Sequence, residues 1–175
     1  SGSELGALVP TIEILEGGWP WILVWPIGLA LACISLNTRW GIWAFSTQII
    51  IAGSILPLKM QLPWYIHPFW LPFALLCGPP VSWLIQREGN NYLFSRYLKL
   101  IPHILCLIGL FLFSFSLLIK LNILNLREDY FNIVLCISLG WFFGGLLLSN
   151  SRKNFRKIGF IGIIFGSIIG LFFFV

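Results

Sequence analysis

Six apolar runs, each eighteen to twenty-two residues long and separated by short polar stretches, occupy the sequence from Trp19 to Val175. A helix needs roughly 20 mostly apolar residues to cross about 30 Å of hydrocarbon, whereas a transmembrane strand needs alternating segments of about ten. The pattern is helical and predicts six membrane spans: Trp19 to Leu36, Trp40 to Leu58, Ile66 to Gln86, Leu98 to Ile119, Phe131 to Leu148 and Ile158 to Val175. The chain is 58% hydrophobic and 10% charged, with a mean hydropathy of +0.92, which excludes a disordered chain, a disulfide scaffold and a nucleic-acid module. The expected fold is an all-α polytopic membrane bundle.

Charge sets its orientation, because Lys and Arg in short loops are retained on the cytoplasmic side. The stretches after the first, third and fifth runs carry eight: Arg39, then Arg87, Arg96 and Lys99, then Arg152, Lys153, Arg156 and Lys157. Those after the second and fourth carry three, Lys59, Lys120 and Arg127, and the N-terminal segment has Glu4, Glu13 and Glu16 with no basic residue. Both termini are therefore expected outside, in a bacterial inner membrane or an organellar membrane. The net charge of +5 follows from this loop bias, so a nucleic-acid partner is not expected. Arg152, Lys153, Arg156 and Lys157 are also the expected contact for anionic lipid or a cytoplasmic partner.

Residues 1–18 lack the basic start of a signal peptide. Ser1-Gly2-Ser3 reads as a vector-derived scar. Leu5 to Leu15 mixes apolar residues with Pro10 and Glu13, which predicts a segment on the outer interface, hinged at Gly17-Gly18 to a six-helix domain over 19–175.

Helices in lipid associate through close packing of small residues. Gly162, Gly166 and Gly170 repeat GxxxG three turns in phase, Gly140 and Gly144 repeat it in the fifth run, and Gly28 with Ala32 give the first run a weaker version. These predict a close helix contact, either within the chain or with a membrane partner or a second copy. The third run carries Pro68, Pro72, Pro79 and Pro80 with Gly78 before the last pair. Each internal proline removes a backbone hydrogen bond and costs roughly 3 kcal/mol. A straight helix through Cys77-Gly78-Pro79-Pro80 is not expected, and Gly78, Pro79 and Pro80 mark a kink or a functional break.

No Asp, Glu, Lys or Arg lies deep in a predicted span; Lys99 is one turn from the inner edge and can snorkel. Proton coupling and voltage sensing need such groups, so a pump is disfavoured. Neither GxSxG nor HExxH is present, and a lipid-acting enzyme ranks third among the readings. His67 and His103 differ in expected depth by about 20 Å, too far for a shared haem or metal. Cys33, Cys77, Cys106 and Cys136 fall on four runs without a CxxC, and structural thiols are expected. No cofactor or metal is assigned.

Trp19, Trp21, Trp25, Trp64, Tyr65 and Trp70 map to the outer half, and Trp40, Trp43, Trp83, Tyr92 and Tyr97 to the inner side. Interfacial belts explain such a distribution. The alternative is an outer pocket near Glu13 and Glu16, with Trp19, Trp21, Trp25, Trp64, Tyr65, His67 and Trp70 as the residues that would bind a small organic solute. An internal echo pairs Ile27 to Leu36 with Ile108 to Leu117, six of ten positions agreeing, as an inverted repeat would.

In size, six-span layout and outward aromatic mouth the chain resembles the substrate-binding membrane components of energy-coupling-factor vitamin transporters. The resemblance implies solute binding without catalysis. That family's AxxxA docking pattern in the first span is absent here, Gly28 and Ala32 being the nearest substitute, so no binding residue carries over. Two functions are expected from this reading: a non-enzymatic membrane subunit that binds or transports a small solute from the outer face, or an accessory subunit of a larger membrane complex.

Overall fold

A computed structural model of the chain describes residues 9–55, 66–87, 92–121 and 128–172. The described residues are almost wholly helical, and no strand occurs among them. In chain order the helices are α1 (Val9–Gly18), α2 (Trp25–Ile34), α3 (Arg39–Ile55), α4 (His67–Gln86), α5 (Tyr92–Lys120), α6 (Glu128–Ser149) and α7 (Lys153–Phe172), with a 3-10 turn at Trp21–Leu23. Among the described residues, three stretches are long and apolar enough to cross a membrane: His67–Gln86, Phe94–Lys120 and Tyr130–Ser149. The chain divides into two compact units, Ser1–Ser82 and Trp83–Val175, with the division inside α4.

The first predicted span is shorter as a helix than as an apolar run. Pro26 stands in the first turn of α2, leaving ten α-helical residues from Trp25 to Ile34. Proline lacks the N–H that an interior position must donate, so it sits where a helix begins. After α2 the chain turns through four residues. The Gly41 N–H donates to Thr38 Oγ1 at 3.1 Å, and the Thr38 hydroxyl donates to the Ser35 carbonyl at 2.8 Å, which caps the start of α3.

The proline-rich run forms one continuous helix, α4, from His67 to Gln86 with Pro72, Pro79 and Pro80 inside it. Pro80 leaves the Leu76 carbonyl without its N–H donor four residues on. In the N-terminal unit a Cβ built on Gly28 would overlap that carbonyl, so the Gly28 Cα–H points at it and supplies a weak donor. Leu76 is fully buried in a cluster with Ala32 and Ala44, against which Trp25, Leu29, Trp40 and Phe45 pack. Gly78 itself has open space where a side chain would be.

The C-terminal unit contains α5, α6 and α7, consecutive helices that pack along their lengths. α6 presents close backbone contacts on two sides. Toward α5, a Cβ on Gly145 would meet the Pro102 carbonyl at 2.7 Å and Cys106 Sγ at 2.8 Å, and one on Gly109 would meet the Phe142 nitrogen at 2.5 Å. Toward α7, Gly140 faces Gly166 at 2.7 Å and Gly144 faces the Gly159 carbonyl at 2.7 Å by the same measure. Trp141 Nε1 donates to Ser167 Oγ at 3.0 Å, and that hydroxyl donates to the Ile163 carbonyl at 2.9 Å.

Candidate functional site

In the N-terminal unit, Trp25 and Trp70 meet around two phenylalanines that composition alone did not single out. The Trp25 ring stacks on Phe73 at 6.1 Å and 24°, and lies 6.1 Å from Phe69. Trp70 packs edge-on against Phe69 at 5.8 Å and Phe73 at 5.4 Å. Its ring also covers Gly17 of α1, where a Cβ would lie 2.8 Å from Cζ2. Residues 69, 70 and 73 share one side of α4 by their spacing of three and four. The Trp21 carbonyl accepts from the Cys77 thiol at 3.6 Å.

The other candidates are placed differently. Trp19 and His67 are exposed and Trp21 is half-buried. Trp64 and Tyr65 lie outside the described residues, as do the side chains of Glu13 and Glu16. His103 is exposed, with Nδ1 donating to the Lys99 carbonyl of its own helix at 3.0 Å. Among the described residues no group of three His, Cys, Asp or Glu could hold a metal.

The residue that sequence reasoning missed is Gln48. It is 1% exposed, and neither its Oε1 nor its Nε2 has a hydrogen-bond partner. The Trp25 Nε1 is also buried without a partner. A Cβ on Gly41 would overlap the Ser35 carbonyl and lie 2.9 Å from the Ala32 carbonyl, so α3 starts against the last turn of α2. Gln48 also lies one turn beyond Ala44 on the face that joins the Ala32, Ala44 and Leu76 cluster, and Trp25 packs on that cluster. Two donors and an acceptor are thus buried without partners in the N-terminal unit. A buried polar atom left unpaired costs about 1–3 kcal/mol. Three of them weigh heavily against the 5–15 kcal/mol that holds a typical domain folded, so they require an explanation. A lone amide in the second apolar run was the available signal; a search confined to ionisable groups passes over it.

The basic cluster at the start of α7 also separates into different roles. Arg156 is 3% exposed. Its Nε donates to the Ile85 carbonyl at 2.7 Å, its Nη2 to the Gln86 carbonyl at 3.1 Å, and its Nη1 to the carbonyls of Asn150 and Ser151. One guanidinium therefore closes the C-terminal ends of both α4 and α6, where the helix dipoles favour a cation. Burial, with the nearby Arg87 charge, lowers its pKa from the ordinary arginine value. Arg87, at φ 52°, donates from Nη2 to the Ser149 carbonyl at 3.0 Å. Arg152, Lys153 and Lys157 are exposed, and Arg152 and Lys153 line an open groove of about 510 Å³ with Asn154, Phe155 and Ile158.

The predicted packing glycines are found on α6 and α7: Gly140 and Gly166 face each other, Gly144 meets Gly159, and Gly162 is loosely approached, 3.9 Å from the Gly144 Cα by the same measure. Gly170 lies in the last turn of α7. No family model, curated protein or solved structure matches this chain.

Proposed function

We propose that the chain is a non-enzymatic integral membrane subunit, with six spans and both termini outside, that binds or passes a small solute through its N-terminal unit. Three long apolar helices and the concentration of basic residues in alternate loops support the membrane reading. The spans beyond those three would be the region of α2, which begins with the 3-10 turn, then α3, and α7 with the residues after it.

The observation that carries the binding reading is the Gln48 amide, buried with neither its Oε1 nor its Nε2 partnered, in a unit where the Trp25 indole N–H is also buried without a partner. Ligand sites are mostly apolar, with a small number of placed polar groups. The polar atoms here are also shut off from solvent. A solute bound at α3 would take up the two unmet hydrogen-bonding positions of the Gln48 amide. Native mass spectrometry of gently extracted protein tests this. A co-purified small molecule held by the wild type and lost from Gln48→Leu supports the reading; a molecule retained equally by both, or none in either, contradicts it.

A further inference from the structure

Resting on the reading that α7 spans the membrane, we infer that the groove at the start of α7 binds an anionic glycerophospholipid, with Arg152 and Lys153 on its phosphate and Phe155 and Ile158 on its acyl chain. These four residues and Asn154 line one open space of about 510 Å³. Arg152 and Lys153 are exposed, and the described side chains of the C-terminal unit include no Asp or Glu. Those of Glu88, Glu128 and Asp129 lie outside the described residues. The planar arginine fork matches two phosphate oxygens, and the lysine ammonium adds a compact charge beside it. A zwitterionic headgroup would bring a cation of its own to the same place.

The turn that presents Arg152 is fixed by the chain itself. The Arg152 N–H donates to Asn150 Oδ1 at 2.9 Å, and the Arg152 carbonyl accepts from the Arg156 N–H at 3.3 Å. The buried Arg156 guanidinium also holds the carbonyls of Asn150 and Ser151. Arg156 is therefore a positioning residue, spent on backbone, and the cations left to meet a phosphate are its exposed neighbours.

The apolar side of the groove favours a lipid over a water-soluble phosphate. Phe155 and Ile158 are exposed, and from Ile158 steps of three, four and three residues lead to Ile161, Phe165 and Ile168, all exposed as well. This side of α7 is the one turned away from Gly159, Ile163 and Gly166, which meet α6. Ten residues of helix cover about 15 Å, half the hydrocarbon thickness and so the depth of one leaflet. A cationic mouth thus opens onto an apolar stripe as long as an acyl chain.

Phosphatidylglycerol and phosphatidylcholine with identical acyl chains separate the two headgroup charges. The full chain, freed of lipid in neutral detergent, is mixed with equal amounts of both, and bound lipid is counted by native mass spectrometry. The expected result is preferential retention of one phosphatidylglycerol, which an equal concentration of glycerol 1-phosphate does not displace. The double variant Arg152→Gln/Lys153→Gln should lower that retention about tenfold. Arg96→Gln, on an exposed side chain of α5 outside the groove, should leave it unchanged. Equal retention of the two lipids overturns the inference, as does an equal loss in Arg96→Gln and the double variant, which would mean diffuse surface charge. Displacement by glycerol 1-phosphate overturns the lipid in favour of a soluble phosphate. Retention in detergent depends neither on Gln48 nor on the direction of insertion, so it holds or fails apart from the solute site.

Discussion

The backbone of Gly28 lies against the carbonyl of Leu76, the acceptor that Pro80 deprives of its helical donor. The contact gives the acceptor orphaned by Pro80 a neighbour, and explains why the first apolar run has a glycine at this level. Gly28→Ala should destabilise the N-terminal unit by about 1–3 kcal/mol, since the obstacle is backbone and cannot rotate away. Pro80→Ala restores the N–H and loosens the dependence on Gly28. Thermal unfolding of both single variants and the double variant should therefore give a coupling energy distinct from zero; strict additivity would show that the two residues do not share this carbonyl.

Pro80 and Gly28 are each conspicuous in the sequence, but nothing in it joins positions 28 and 76. The long helices were more legible. The runs Ile66 to Gln86 and Phe131 to Leu148 match α4 and α6 to within a few residues, because continuous apolar sequence persists over their whole length. α5 extends six residues earlier than the run from Leu98, through Tyr92, Ser95 and Arg96, since a helix does not stop where its apolar window stops. α2 is shorter than its run because Pro20 and Pro26 set its start. Arg156 reads as a loop charge; its role depends on carbonyls about seventy positions away, which no local pattern encodes.

Arg156 should behave as a structural residue. Removing a guanidinium that serves four carbonyls through Arg156→Met should lower stability by about 3 kcal/mol or more, because hydrogen bonds to charged groups contribute about 1.5–3 kcal/mol each. Arg156→Lys keeps the charge but loses the fork and should recover only part of the loss. Arg152→Gln and Lys153→Gln, on exposed side chains, should change stability by less than about 0.5 kcal/mol. Equal midpoints for Arg156→Met and Lys153→Gln would contradict this division of roles.

The glycines divide in the same way. Gly166→Leu should disrupt the α6–α7 contact, where even a Cβ would meet the Gly140 Cα at 2.7 Å. Gly78→Ala and Gly53→Ala meet nothing within 4 Å and should be neutral or raise helix stability by up to about 1 kcal/mol. Unfolding midpoints of the three variants, measured side by side, check the ranking. A tolerated Gly166→Leu would show that α6 and α7 do not pack through these backbones.

Orientation has its own test. With six spans and both termini outside, a cysteine at Ser151 should react with a membrane-impermeant maleimide only in inverted or opened vesicles, and a cysteine at Asn122 should react in intact cells. The opposite pattern would reverse the topology.

The most direct test of the solute-site account is the stability of Gln48→Leu in protein freed of ligand. With the amide buried and unpartnered, an apolar side chain of similar size removes two unmet polar atoms, and the unfolding midpoint should rise by the equivalent of about 1–3 kcal/mol. A fall of that size would mean that Gln48 makes hydrogen bonds that hold the fold together, and would contradict its assignment to the solute site.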